Sequence, residues 1–352
     1  MGHTKKSRVL VGILKDMTLI IKANLSTKRS KAKIHIAVLR ATAHGVPVPP
    51  SDKRVTSVLC FGLGSRVTAS TCIGALMDRL HGTKDACVAL KCLFTIHSII
   101  TKGSFILKDQ LSIYPSFGGR NFLNLSQFRR DSDPESWELS SWVRWYAAVI
   151  EQNLMVSRLL GYYLCSDADK NLKEEIVQVL LSKDLVREIE VLVDYVERIC
   201  EAPESLHLQR NILVYEVVRL VSEDNRLKQR EICLRVKELR DRLPSLGPDE
   251  LAQIVCVLQK LEGCKERLFM LFVNRSRNDE MWELIKETKI NIIETMKIES
   301  KALVKLGSTD RCGEFNRFRE QFVIESGNLG RFRADNKWSA MDLVPLTVKT
   351  AV

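Results

Sequence analysis

The feature that most restricts what this chain can fold into is a spacing. In LSSWVRWYAAVIEQNLMVSRLLGYY, residues 139–163, the apolar side chains Leu139, Trp142, Val143, Tyr146, Val149 and Ile150 recur at steps of three and four. That period draws one stripe along a helix, and the stripe must be buried. The same period continues over 174–200 through Ile176, Leu180, Leu181, Leu185, Ile189, Leu192, Val196 and Ile199. It predicts further helices over roughly 8–25, 31–43, 52–60, 69–80, 84–102, 206–241 (interrupted) and 248–305. Before the 139–163 stripe, Asp133 is placed to cap and Pro134 to open the helix, where a missing amide proton costs nothing. No alternating, strand-like pattern competes. Helices joined by short turns must bury their stripes on one another, so the expected fold is all-α, a right-handed superhelical stack of antiparallel helices. No fixed-period repeat is present. The pattern weakens near residue 306, which predicts a helical domain over 1–305 and a short, partly ordered tail over 306–352.

Most chemistries are excluded by what is missing. No apolar run approaches the roughly 18 residues that cross a bilayer, and MGHTKKSR has no apolar signal-peptide core. Gly2 could suggest acylation, but Lys6 stands where that pattern needs Ser or Thr. The ten cysteines are scattered without any C-x-x-C. Those such as Cys87, Cys92, Cys200 and Cys256 fall inside apolar helical patterns, where a reduced thiol acts as a small hydrophobe. No metal and no cofactor is expected. Gly62 to Gly64 lacks the third glycine and the preceding strand of a dinucleotide loop, and there is no phosphate loop or H-E-x-x-H. His97, inside LFTIHSII, reads as a hydrogen-bonded core residue, and Glu174 and Glu175 as solvated surface. The chain is not expected to be an enzyme.

The charge becomes informative once located. Residues 1–60 hold twelve basic residues against Asp16 and Asp52, a net of +10 in a chain whose total is +11. Such asymmetry attracts polyanions. Nucleic acid is not the expected partner, because no aromatics interleave the basic residues to stack bases. The stretch LRATAHGVPVPPSDKRV puts Arg40 at the end of one helix, Pro47, Pro49 and Pro50 in the turn, and Lys53 and Arg54 at the start of the next. A cation suits a helix C-terminus, free amides at the following N-terminus favour an anion, and Ser51 is placed to cap.

With CIGALMDRL, VALKCLFTIHSIITKGS and NLSQFRRDSDPESWELSSWVRWYA following RATAH in order, the chain resembles the ANTH family of clathrin-assembly proteins, particularly its plant members. The likeness is dense over about 8–165 and continues as helical pattern to about 300. It implies a non-enzymatic endocytic adaptor that binds phosphatidylinositol 4,5-bisphosphate membranes and links them to clathrin or its adaptors, or to VAMP-class SNARE cargo. The implied location is the cytoplasm, peripheral on plasma-membrane clathrin-coated pits and on clathrin-coated vesicles, with the Golgi apparatus as a further site. The family lipid motif is a Lys, nine residues, Lys, any residue, Lys or Arg, then His or Tyr. In strict register from Arg40 it fails on Pro50 and Asp52; with a loop one residue longer, Ser51 replaces one cation, Lys53 supplies the other and Arg54 replaces the aromatic position. The resemblance thus assigns Arg40, Lys53 and Arg54 to the headgroup, with Lys28, Arg29, Lys31 and Lys33 as auxiliary membrane-facing cations. In the tail only MDLVPL, around Asp342 and Leu343, resembles a coat motif. The other reading is a helical protein-interaction scaffold, binding SNARE cargo, whose lipid site is degenerate.

Overall fold

The computed structural model describes residues 2–26, 28–114, 123–130, 134–164, 170–204, 211–272 and 279–306. Among them every regular element is helical: α1 (Gly2–Asn24), α2 (Arg29–Ala41), α3 (Asp52–Leu59), α4 (Arg66–Gly82), α5 (Ala86–Lys102), α6 (Phe105–Ser112), α7 (Pro134–Leu160), α8 (Lys170–Val179), α9 (Ser182–Cys200), α10 (Ile212–Asp241), α11 (Pro248–Gly263), α12 (Lys265–Leu271) and α13 (Asp279–Leu306). Most pack on near neighbours in sequence, α1 on α2, α2 on α3 and α4, α5 on α7, α7 on α9, and α9 on α10 and α11. This is the all-α stack that the spacing predicts. Residues up to Ile298 form one compact unit and Glu299–Val352 group separately. Of that second group only the end of α13 is described, so the tail with Asp342 and Leu343 lies outside the described residues, as does Asp133.

The stripe of α7 is buried at every position named from the sequence, from Leu139 to Ile150. Helix α5 is buried on all sides from Val88 to Ile100, as a helix apolar all round must be when it sits in the middle of a stack. Asp85 starts it, accepting from the amides of Cys87 (2.9 Å) and Val88 (3.2 Å).

The expected boundaries fail where tertiary contacts, not local pattern, end a helix. The 174–200 stripe is two helices: the chain is extended at Leu181, whose side chain is 71% exposed. Arg242 reaches across to the carbonyl of Gln178 at 2.8 Å and to that of Leu180, capping α8 from 62 residues away. The interruption expected within 206–241 is absent from the described part, where α10 runs unbroken for 30 residues. The span 248–305 is three helices, the first ending at Gly263. Helix α6 has too few turns to show a period, but buries Leu107 and Leu111. Gly62 is explained by packing: a Cβ there would meet Ser104 Oγ at 2.3 Å. Cys92 is buried as expected, whereas Cys256 is exposed.

His97 is a core residue, and its surroundings are charged. Its Nδ1 lies 2.8 Å from the Tyr146 hydroxyl and its Nε2 3.1 Å from Asp224 Oδ2. The same carboxylate receives hydrogen bonds from Asn153 Nδ2 (2.6 Å) and the Tyr195 hydroxyl (3.4 Å), with Lys228 Nζ at 3.4 Å. Four helices, α5, α7, α9 and α10, therefore meet on one buried charge. A second buried network stands beside it, where Arg235 joins Glu188 (2.6 Å) and Glu231 (2.7 Å), and Glu231 also takes Lys173 and the Tyr162 hydroxyl.

Candidate functional site

The proline turn between α2 and α3 is pinned by side chains as well as stiffened by its prolines. Lys91, buried in α5, donates to the carbonyls of Ala43 (2.9 Å) and Val46 (3.1 Å). Burial pulls its ammonium below the ordinary lysine range. The Leu213 amide, in the first turn of α10, donates to Pro47 O at 3.2 Å. Asp16 of α1 accepts from both the amide and Nδ1 of His44 at 2.8 Å, and Arg79 of α4 donates to Asp16 (2.7 Å) and to Thr42 O (3.3 Å). Burial alone would raise the Asp16 carboxyl, but the His44 hydrogen bonds and the Arg79 charge outweigh it and hold it below the usual carboxylate range. The histidine of RATAH is thus a clamp joining the turn to α1.

Gly12 makes that clamp possible, since a Cβ there would stand 2.5 Å from the His44 ring. Gly12→Val should push the ring off Asp16 and loosen α1. Amides 9–23 are expected to exchange hydrogen at least 10-fold faster, a loss of about 1.4 kcal/mol or more, while those of α5 keep their protection. Unchanged exchange in α1 would show the clamp to be unimportant.

On this frame Arg40 ends α2 and Lys53 and Arg54 begin α3, all three exposed. Ser51 has the extended backbone of a cap, but its side chain makes no capping bond. Asp52 is exposed between the cations. The auxiliary cations are all exposed too, but they do not share one face. Arg29, Lys33 and Arg40 fall on one line of α2, while Lys31 lies half a turn away, and Arg29 is roughly 16 Å along the axis from Arg40. None of Lys28, Arg29, Lys31, Lys33, Arg40, Lys53 and Arg54 pairs with a carboxylate among the described residues. Several cations of the later helices do, Arg198 with Glu201, Arg219 with Glu216 and Glu223, Lys260 with Asp194 and Glu197, whereas others such as Arg187 and Arg230 are exposed without such a partner among the described residues. Net positive charge is thus concentrated at one end of the sequence, residues 1–60 carrying +10 of the chain's +11.

A further feature escaped the sequence reading. Helix α1 buries Gly12 and Asp16 yet exposes Leu10, Leu14, Met17 and Ile21 by 54–61%, at steps of four and three. Lys15 and Lys22, also exposed, run alongside that stripe. The period of α1 was legible, but with apolar residues on two faces, only the position of Asp16 and Gly12 tells which one is buried.

The ANTH domain model matches residues 33–272, from the middle of α2 to the end of α12. The chain belongs to the ANTH domain family. Three curated Arabidopsis thaliana relatives are similar over nearly their whole length. "Putative clathrin assembly protein At4g40080" is 38% identical, with 97% of each chain covered. The proteins of the same description numbered At5g10410 and At5g65370 are 31% and 32% identical, covering 84% and 81% of this chain and 88% and 99% of their own. The matched ANTH region begins inside α2, so α1 and its exposed stripe lie before it.

Proposed function

We propose that the protein is a non-enzymatic endocytic adaptor that docks its N-terminal helices on membranes containing phosphatidylinositol 4,5-bisphosphate and connects them to the clathrin coat. The observation that carries this reading is the group of unpaired, exposed cations set around a turn held by α1, α4, α5 and α10. A turn so fixed presents Arg40, Lys53 and Arg54 on a backbone that needs no ordering at the moment of binding, so that only their side chains lose freedom. The α1 stripe adds apolar area beside cations, the combination that lets a helix lie in a bilayer interface. No described helix is long and apolar enough to span a membrane, so attachment would be peripheral. Names of the relatives support the coat assignment, with Asp342 and Leu343 as the coat-facing motif of the tail. Cargo of the VAMP-class SNARE type would suit the exposed Ile290 and Ile293 of α13, one helical turn apart. The expected location is the cytoplasmic face of clathrin-coated pits and vesicles, and of the Golgi apparatus.

The test is sedimentation with vesicles. The protein should pellet with phosphatidylcholine vesicles carrying phosphatidylinositol 4,5-bisphosphate, and less so as salt screens the exposed charges. Equal binding to neutral vesicles would refute the reading. Leu14→Glu with Met17→Glu should reduce binding by at least 10-fold, since two side chains worth about 1.5–3 kcal/mol each on full burial are lost. If that variant binds as wild type, the stripe has another occupant.

A further inference from the structure

Two cysteines far apart in sequence share one corner of the fold. Cys200 is the last residue of α9 and Cys264 joins α11 to α12. The Cys200 thiol donates to Cys264 O at 3.6 Å, and the Cys264 thiol to Lys260 O at 3.5 Å. Arg267 of α12 donates from Nε and Nη2 to Cys200 O at 3.2 and 3.1 Å, which fixes one backbone against the other. Cys200 is half-buried, giving a small reagent a way in, while Cys264 is 6% exposed. Cys72, by contrast, donates to the carbonyl of Val58 within its own part of the core.

We propose that Cys200 and Cys264 are a peroxide-sensitive dithiol, a modification site that closes to a disulfide and staples the end of α9 to the α11–α12 corner. Their titration supports the order of events. The contact between the two side chains raises Cys200 and lowers Cys264 from the usual thiol range, which makes Cys264 the readier of the two to ionise. Cys264 thiolate attacks one oxygen of a hydroperoxide; the O–O bond breaks, and the leaving hydroxide takes a proton and departs as water or alcohol. Cys264 is then a sulfenic acid. Cys200 sulfur attacks it, the S–O bond breaks, and the Cys200 proton leaves with the hydroxide as a second water. Two thiols are oxidised by two electrons and one peroxide is reduced. The bond encloses α10 and α11 in a covalent ring, which constrains the unfolded chain and so raises the melting temperature.

The full chain is treated with a few equivalents of hydrogen peroxide, blocked with an alkylating agent, digested without reductant and read by mass spectrometry. A Cys200–Cys264 linked peptide pair should appear, vanish on dithiothreitol, and accompany a Tm rise of about 5 °C. Cys200→Ser cannot resolve the intermediate, so dimedone should label Cys264 in it; Cys264→Ser should leave Cys200 unreacted at the same dose. Circular dichroism confirms that both variants remain helical. Oxidation falling instead on exposed Cys60 and Cys256, with Cys200 and Cys264 still alkylated, overturns the proposal. So does labelling of Cys200 in the Cys264→Ser variant at the wild-type rate.

Discussion

Replacing Asp224 with alanine is expected to cost about 3–5 kcal/mol, a large part of the roughly 5–15 kcal/mol that holds a domain together. The carboxylate is where α5, α7, α9 and α10 meet, and it accepts from Asn153 and Tyr195 while facing His97 and Lys228. Remove it, and a wholly buried ammonium loses its counter-charge; desolvation already pulls Lys228 below its ordinary range. The urea midpoint measures the loss. A double variant, Asp224→Leu with Lys228→Met, should recover the part due to the unpaired ammonium, because an apolar pair in place of a buried ion pair is often neutral, while Asn153 and Tyr195 stay without their acceptor. Burial alone would raise the Asp224 carboxyl, but Lys228 and His97 more than offset this and hold it well below the carboxylate range. The stability it contributes is therefore present above the ordinary aspartate range near 3.8 and is lost as pH falls toward its depressed folded value. Asp224→Asn should flatten the acid side of the stability curve. A loss under about 0.5 kcal/mol for Asp224→Ala, the size of an ordinary surface change, would show that the network contributes nothing.

That network marks the limit of what the sequence discloses. Apolar spacing located α2, α3, α4, α5 and the stripe of α7, because burial selects for it residue by residue. The break between α8 and α9 was not legible, since Arg242 caps α8 from another element and leaves no local mark. Nor was the destination of a charge inside a helical pattern: Asp224, Lys228 and Arg235 look like surface residues until α5 and α9 are packed on them. At the site, the cations and prolines were plain, and the residues that hold the turn were not. Lys91 and Arg79 act from α5 and α4, and nothing in the local pattern around His44 shows that it pairs with Asp16.

The second large effect is expected at that turn. With Arg40, Lys53 and Arg54 all changed to alanine, affinity for vesicles bearing phosphatidylinositol 4,5-bisphosphate should fall about 100-fold, at about 1 kcal/mol per basic residue near an anionic surface. The fold should survive, since exposed polar changes seldom exceed about 0.5 kcal/mol. The informative comparison is with Lys28, Arg29, Lys31 and Lys33 changed together, on vesicles matched for total charge. A discrete site predicts that only the first set loses preference for the bisphosphate over phosphatidylserine. Arg29 and Lys31 on different faces of α2 cannot both reach a headgroup at Arg40. Asp52→Lys should tighten binding, a repulsive charge being exchanged for an attractive one. Equal losses of selectivity in both sets would make the turn a stiff connector in a general basic surface.

The concentration of net charge in residues 1–60 also makes the compact helical unit an electrical dipole. Residues 1–60 carry nearly the whole net charge, while the ion pairs of the later helices cancel locally. In the field of an anionic bilayer such a body rotates before it touches, so that the first collision already presents α2 and α3. Its arrival rate should therefore fall steeply with ionic strength. Departure is governed by contacts made after arrival, the headgroup bonds and the apolar side chains of α1, and these respond far less to salt. How fast the protein finds a membrane and how long it stays are thus set by different residues.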